Sequence, residues 1–266
     1  MKTYNVMCWN VDGLRAEIIP YIKYMLVIHN LDILCLNETK KPEDKLHKIL
    51  NQFTKYEHVI NVHKPAGYHG VAILIKQGIK YELLDLPFNC KPRNDNKSGD
   101  ARAGRLLGIR VDDKFNLITA YVPNSGVNPA CPLKNLSYRI DCWDPALFEL
   151  LNSLDDVIFV SDINVALQDI DVSHPSIMRN SAGFTDIERD SFNTFLENSN
   201  YIDIYRQQHP DVKGYTFRGY RGYSLRWRLD NCLVTESLVE NVIDSYIETV
   251  CKAKTDHLPF GVIVRI

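Results

Sequence analysis

Val157-Ile158-Phe159-Val160-Ser161-Asp162-Ile163-Asn164 is the stretch that decides the fold. Its first four residues are all β-branched or aromatic, which suits a short strand buried on both faces. The run then ends in Asp162 and Asn164, two positions apart and so on one face of an extended chain. In α/β sheets, reactive groups gather outside strand ends.

Four more segments repeat this form. Trp9-Asn10-Val11-Asp12-Gly13 places Asn10 and Asp12 on one face, with Gly13 able to turn the chain away. Leu34-Cys35-Leu36-Asn37-Glu38 ends an apolar run in a carboxylate. Arg228-Leu229-Asp230 and Thr255-Asp256-His257 complete the set. Taken singly, each is ordinary turn chemistry; together they form a pattern. Hard carboxylates without a cysteine cluster favour Mg²⁺ or Mn²⁺ over zinc. Asn side chains position a phosphate or a water without adding repulsive charge. A His beside an Asp, with a second Asp to orient it, suits proton transfer or stabilisation of developing charge. The residues point to metal-assisted phosphodiester hydrolysis.

Working outward, strands are predicted at 4–11, 33–36, 71–75, 117–122, 157–160 and 262–265. Helices fall between them. Ile18, Ile22, Met25, Leu26 and His29 keep a helical spacing, and Asp144 followed by Pro145 reads as an N-cap with proline at the first helical position. Thr185 and Glu188 form a capping box ahead of a third helix. Residues 89–102 and 125–135 are long loops rather than domain boundaries, and alternating elements indicate one layered α/β domain over 1–266.

The composition agrees. At 266 residues, 45% hydrophobic and 24% charged, the chain is neither disordered nor fibrous. Seven cysteines with no Cys-x-x-Cys pair argue against a disulfide framework or a zinc site, and for a reducing, intracellular compartment. No apolar run approaches the ~20 residues of a membrane span. The net charge of −2 excludes binding to polyanions through bulk charge. Locally, residues 205–228 carry six Lys or Arg against one Asp, interleaved with aromatics, as a nucleic-acid contact requires. Residues 141–171 carry eight acidic residues and no basic one, read mainly as solvated helix surface.

Nine blocks in order then resemble one family. They are Trp9-Asn-Val-Asp-Gly-Leu-Arg-Ala16, Ile33-Leu-Cys-Leu-Asn-Glu-Thr-Lys40, Gly67-Tyr-His-Gly-Val71, Tyr121-Val-Pro-Asn-Ser-Gly126, Tyr138-Arg139 with Trp143-Asp144, Ser161-Asp-Ile-Asn-Val165, Ala182-Gly-Phe-Thr185 with Glu188-Arg189, Trp227-Arg-Leu-Asp230 and Thr255-Asp-His257. The chain resembles the exonuclease III family of apurinic/apyrimidinic (AP) endonucleases, within the endonuclease/exonuclease/phosphatase superfamily. The resemblance implies a four-layered, DNase I-like α/β sandwich with two mixed sheets face to face. It implies Glu38 as principal metal ligand, with Asp12 and Asp256 nearby, holding Mg²⁺ with Mn²⁺ as a substitute. It implies Asp162 to orient or deprotonate the attacking water, Asn164 to hold that water or the phosphate, and His257 at the scissile phosphate with Asp230 fixing its tautomer. Whether His257 or Asp162 is the base stays open. Tyr121, Asn124 and Asn10 would complete the phosphate pocket. Phe217, Trp227 and Leu229 would line the pocket for the extruded abasic sugar, with Arg218 and Arg221 on the DNA. The implied partner is double-stranded DNA with abasic sites, acted on by a monomer with no membrane association.

Departures mark where this chain differs from the family. Ser161 replaces the usual Gly and Asn37 the usual Gln. His174-Pro175-Ser176 stands for Asn-Pro-Lys, leaving Asn180 as a candidate phosphate contact in shifted register. Val127 stands where mammalian-like members insert an Arg into DNA, and the loop between Phe217 and Trp227 is shorter than theirs. No regulatory N-terminal extension is expected. The competing readings are another phosphodiesterase of the superfamily, such as a non-specific or retrotransposon-type DNA endonuclease, and an inert DNA-binding relative.

Overall fold

The computed structural model describes residues 1–93, 98–126 and 133–266, apart from Gly222 and the side chains of residues 220, 221, 223 and 224. In chain order the strands are β1 (Thr3–Asn10), β2 (Ile33–Asn37), β3 (Tyr56–Asn61), β4 (Val71–Lys76), β5 (Tyr81–Leu83), β6 (Leu106–Val111), β7 (Phe115–Tyr121), β8 (Val157–Asp162), β9 (Tyr201–Asp203), β10 (Phe217–Arg221), β11 (Tyr223–Trp227), β12 (Asp230–Thr235), β13 (Val242–Ile247) and β14 (Phe260–Arg265). The helices are α1 (Ile19–Ile28), α2 (Glu43–Leu50), α3 (Leu136–Tyr138), α4 (Asp144–Asn152), α5 (Pro175–Met178), α6 (Asp186–Asn198), α7 (Ile204–Gln208) and α8 (Glu236–Val239).

Two six-stranded mixed sheets result, ordered β13-β14-β1-β2-β4-β3 and β5-β6-β7-β8-β12-β9, with β10-β11 as a separate hairpin. Side chains alternate along each strand. Tyr4, Val6 and Cys8 of β1 meet Leu117 of β7 and Ile158 and Val160 of β8 in a core between the sheets. The alternate residues Met7 and Trp9 pack outward with Ile22, Met25 and Leu46 of α1 and α2. Phe159 and Val157 pack with Leu147 and Phe192 of α4 and α6 on the other side. Both faces of each central strand are therefore covered, as the apolar 157–160 run predicts, giving the expected four layers. Each fully buried Val, Leu, Ile or Phe contributes about 1.5–3 kcal/mol.

The strand ends carry the polar residues. β1 and β2 run parallel with Asn10 opposite Asn37, and β7 and β8 run parallel with Tyr121 opposite Asp162. β12 lies antiparallel to β8 with Asp230 opposite Asp162. One end of both sheets thus collects Asn10, Asn37, Tyr121, Asp162 and Asp230.

Two expectations are corrected. Asp144 is not an N-cap: a π-helical turn, Arg139–Trp143, leads straight into α4, and Asp144 is buried against Arg139 Nε at 3.3 Å. Cys90 and Cys142 are joined, Sγ–Sγ 2.26 Å with Cα atoms 5.3 Å apart. Phe88 packs on Trp143 with ring centroids 4.7 Å apart, so this contact and the bridge, whose cysteines are 52 residues apart, lay the loop over the π-helical turn. The acidic run 141–171 is mainly solvated, as expected, with Asp141, Glu149, Asp155 and Asp169 exposed, but Asp144, Asp162 and Asp171 are buried.

Candidate active site

Asn10 ties the two sheets together at the site. Its Nδ2 donates to Glu38 Oε1 and to Asp162 Oδ2, each at 2.8 Å, and its Oδ1 accepts from the Asp12 amide at 3.0 Å. An amide can do this where a carboxylate would repel both neighbours. Asn37 makes a second cross-sheet tie beneath it. Its Nδ2 donates to Thr119 Oγ1 at 3.2 Å, and its Oδ1 accepts from the Asp162 amide at 3.3 Å. The change from the usual Gln to Asn37 thus falls on a residue that anchors the Asp162 backbone.

Asp12, Glu38 and Asn164 all have left-handed backbones, with φ of 42°, 53° and 51°. Asp and Asn tolerate this region; Glu does not, at a cost of about 1–3 kcal/mol. Surrounding bonds hold the Glu38 turn: the Gly13 amide donates to the Glu38 carbonyl at 2.7 Å, and the Thr39 amide to Gly70 at 2.9 Å. Sheet packing stabilises a conformation that aims three functional side chains off their strand ends.

Asp162, Asp230 and His257 form a buried triad with ligand atoms within 4.8 Å of one another. His257 Nδ1 is 2.7 Å from Asp230 Oδ2, and its Nε2 faces Asp162 Oδ2 at 3.9 Å. Burial opposes the imidazolium, but the charges of Asp230 and Asp162 outweigh it and push His257 up to about 10. Burial and the Asp230 charge likewise raise Asp162 well above the usual carboxylate range. The triad therefore keeps a proton at neutral pH. Trp9 Nε1 holds the His257 carbonyl at 3.1 Å, and Thr216 Oγ1 holds the Asp230 amide at 3.1 Å.

A second acidic group suits a metal ion. Lys40 Nζ lies between Asp12 Oδ1 at 2.5 Å and Glu38 Oε2 at 2.7 Å. Burial disfavours the ammonium, yet Glu38 and Asp12 raise its pKa overall. Asp256 Oδ1 is buried with no hydrogen-bond partner among the described residues, and burial, aided by Asp12 and Glu38 and opposed by His257, raises its pKa. Asp12, Glu38 and Asp256 are oxygen donors of the kind a hard divalent cation takes, although among the described residues the three acidic or His residues with ligand atoms within 4.8 Å of one another are Asp162, Asp230 and His257. The sequence reading gave Lys40 no role, although its spacing of two from Glu38 was a signal.

Asn124, Asn164 and Tyr121 lie beside these groups at the strand ends. Asn124 Nδ2 donates to Asn164 Oδ1 at 3.0 Å, and Asn164 Nδ2 donates to the Val122 carbonyl at 2.9 Å. The buried Arg139 guanidinium donates to the carbonyls of Ile163 at 2.7 Å and Asn164 at 2.9 Å, holding the end of β8. Burial and Glu38 raise the Tyr121 hydroxyl well above its ordinary value.

The hairpin β10-β11 joins this site through Phe217, whose ring is 5.0 Å from that of His257. Phe217 pairs with Trp227 across the hairpin. Trp227, Leu229, Phe184 and Val172 form an apolar cluster with Phe217 packed against it. Arg218 is exposed, and its amide donates to the Asp256 carbonyl at 2.8 Å. The Arg221 side chain and Val127 lie outside the described residues. Asn180 sits exposed in the turn between α5 and α6. Two members of the basic stretch are internal. Arg228 Nε meets Asp171 Oδ1 at 2.8 Å and Arg228 Nη2 meets Asp203 Oδ2 at 2.6 Å, while Arg206 Nη2 meets Asp171 Oδ1 at 2.5 Å. Both guanidinium groups are buried in these ion pairs.

Comparison with known proteins agrees with this geometry. The chain is 33% identical over 270 residues to a DNA-(apurinic or apyrimidinic site) endonuclease of Dictyostelium discoideum, spanning 98% of this chain and 70% of that one. It is 32% identical over 271 residues to an exodeoxyribonuclease of Bacillus subtilis, spanning 98% and 99%. The crystal structure of an AP endonuclease from Leishmania major superposes with a TM-score of 0.83 at 27% identity, covering 100% of this chain and 88% of that one. No helix among the described residues is long and apolar enough to cross a membrane. The family model for endonuclease/exonuclease/phosphatase proteins matches residues 7–257, and the chain belongs to that family.

Proposed function

We propose that this protein is a metal-dependent AP endonuclease of base excision repair. It hydrolyses the phosphodiester 5′ to an abasic site in double-stranded DNA, leaving a 3′-hydroxyl and a 5′-deoxyribose phosphate. Trimming of blocked 3′ ends and 3′–5′ exonuclease action use the same chemistry. The chain acts as one catalytic domain and as a monomer. The observation that carries the reading is the pair of acidic groups joined by Asn10: a proton-holding triad on one side and a cation-seeking carboxylate set on the other.

The residues divide the work as follows. His257, held charged by Asp230 and Asp162, binds the scissile phosphate and offsets its developing negative charge. That leaves Asp162 to orient the attacking water and accept its proton. Asn164, Asn124 and Tyr121 hold phosphate oxygens with neutral donors. Glu38, with Asp12 and Asp256, would hold Mg²⁺, which would supply charge neutralisation for the leaving oxygen. Mn²⁺, similar in its oxygen preference, would substitute. Phe217, Trp227 and Leu229 accept the base-free sugar, which is cheap to unstack. Arg218 and Arg221 contact the DNA backbone.

The test compares a duplex carrying an abasic analogue with the same undamaged duplex, each with Mg²⁺ and with EDTA. Cutting confined to the abasic strand and abolished by EDTA is expected. Equal cutting of both duplexes, or none by pure protein, overturns the reading.

A further inference from the structure

Tyr121 is gripped from outside its own strand. Arg105, just ahead of β6, is 7% exposed and reaches two partners. Its Nη1 donates to the Tyr121 carbonyl at 2.9 Å, and its Nη2 lies 3.0 Å from His69 Nε2. Its Cζ sits 4.9 Å from the centre of the Tyr121 ring. A guanidinium has donors only, so His69 Nε2 must accept, and the imidazole is the neutral Nδ1–H form. Burial, then the Arg105 charge, lowers the His69 pKa far below its ordinary value, in the same sense.

His69 also packs its ring against Tyr121, with centroids 5.5 Å apart. Its backbone is left-handed, φ 51°, and its carbonyl accepts from the Lys40 amide at 2.7 Å. One residue of the Gly67-Tyr-His-Gly70 turn therefore touches both the segment carrying Glu38 and Lys40 and the ring of Tyr121. A residue present only to fill space needs no acceptor aimed at a buried guanidinium.

We propose that His69 is a positioning residue. Acting through Arg105 and by ring contact, it fixes the plane of the Tyr121 ring and so the direction in which the Tyr121 hydroxyl meets a phosphate oxygen. The proposal rests on the phosphodiesterase reading above.

The test compares His69→Met with His69→Gln. The two side chains are close in size and strain the left-handed backbone alike, but only Gln keeps an acceptor at its tip. His69→Met is expected to lower kcat on the abasic duplex about tenfold with little change in KM, as loss of a charge-assisted hydrogen bond implies. His69→Gln is expected to restore most of that loss. In a Tyr121→Phe background, His69→Met is expected to cost nothing further. Equal activity of the Met and Gln variants, or fully additive losses with Tyr121→Phe, overturns the proposal. Side-chain ¹⁵N spectra of the native protein separate this from failure of the functional reading. A neutral Nδ1–H imidazole at position 69 supports the clamp even if abasic DNA is not cut. An Nε2–H form or an imidazolium at neutral pH refutes it, as it does where either variant fails to fold.

Discussion

Asp230 gives His257 Nδ1 a carboxylate partner at 2.7 Å in a site shielded from water, and that contact governs how the site titrates. Removing the charge by Asp230→Asn is expected to bring His257 down from about 10 toward the ordinary imidazole range, as read by NMR titration of the metal-free protein. No downward shift would sink the assignment. The raised pKa also has a stability consequence. Folding favours the protonated His257, so its stabilisation is fully present below the unfolded-state value of about 6.5 and is lost as pH climbs toward about 10. Chemical denaturation across that window should fall with pH in the native protein and be flatter in Asp230→Asn. Catalysis is expected to depend more on its neighbour: Asp162→Asn should lower turnover on the order of 10²-fold or more, because the proton acceptor is lost. An Asn at 162 that cuts at the native rate would remove Asp162 from the mechanism.

At the scale of the element, helix α6 links packing to the site. Its N-cap Thr185 accepts from the Glu188 amide at 3.2 Å and donates to Glu188 Oε2 at 2.6 Å. Glu188 in turn accepts from Ser125 Oγ and from the Gly183 amide, so the capping box also clasps the loop that follows Asn124. Thr185→Ala should therefore cost about 1–2 kcal/mol in urea unfolding, the upper part of the capping range. A loss no greater than at an exposed helix position would mean that Glu188 finds other partners. The capping box, the apolar strands and the polar residues closing them were legible because each is written within a few consecutive residues. His69, Arg105 and Asn37 were not, because their partners come from segments far away in sequence, and no local spacing encodes a cross-sheet bond. Asp144 misled for a related reason: its place after Trp143 suits an N-cap, and only the π-helical turn ahead of it makes it an interior residue.

The charge of the whole molecule looks different once folded. Part of the basic stretch and part of the acidic run cancel in the interior, where Asp171 of one pairs with Arg206 and Arg228 of the other. Removing Arg228 leaves the half-buried Asp203 without that partner and the buried Asp171 with Arg206 alone, so Arg228→Ala should cost about 3–5 kcal/mol in unfolding experiments. The exposed Arg218 should behave oppositely: Arg218→Ala leaves stability unchanged and reduces the salt dependence of DNA affinity by about one phosphate contact. If the salt slope is unaltered, Arg218 does not touch the backbone. The seam at Asn10 carries a consequence of another kind. Glu38 follows a strand of one sheet and Asp162 ends a strand of the other; the Asn10 amide bonds both, and Asn37 ties the two sheets beneath it. Neither sheet holds a working half of the machinery. A copy that has misassembled, or has begun to come apart, is thus disarmed before it can nick healthy DNA.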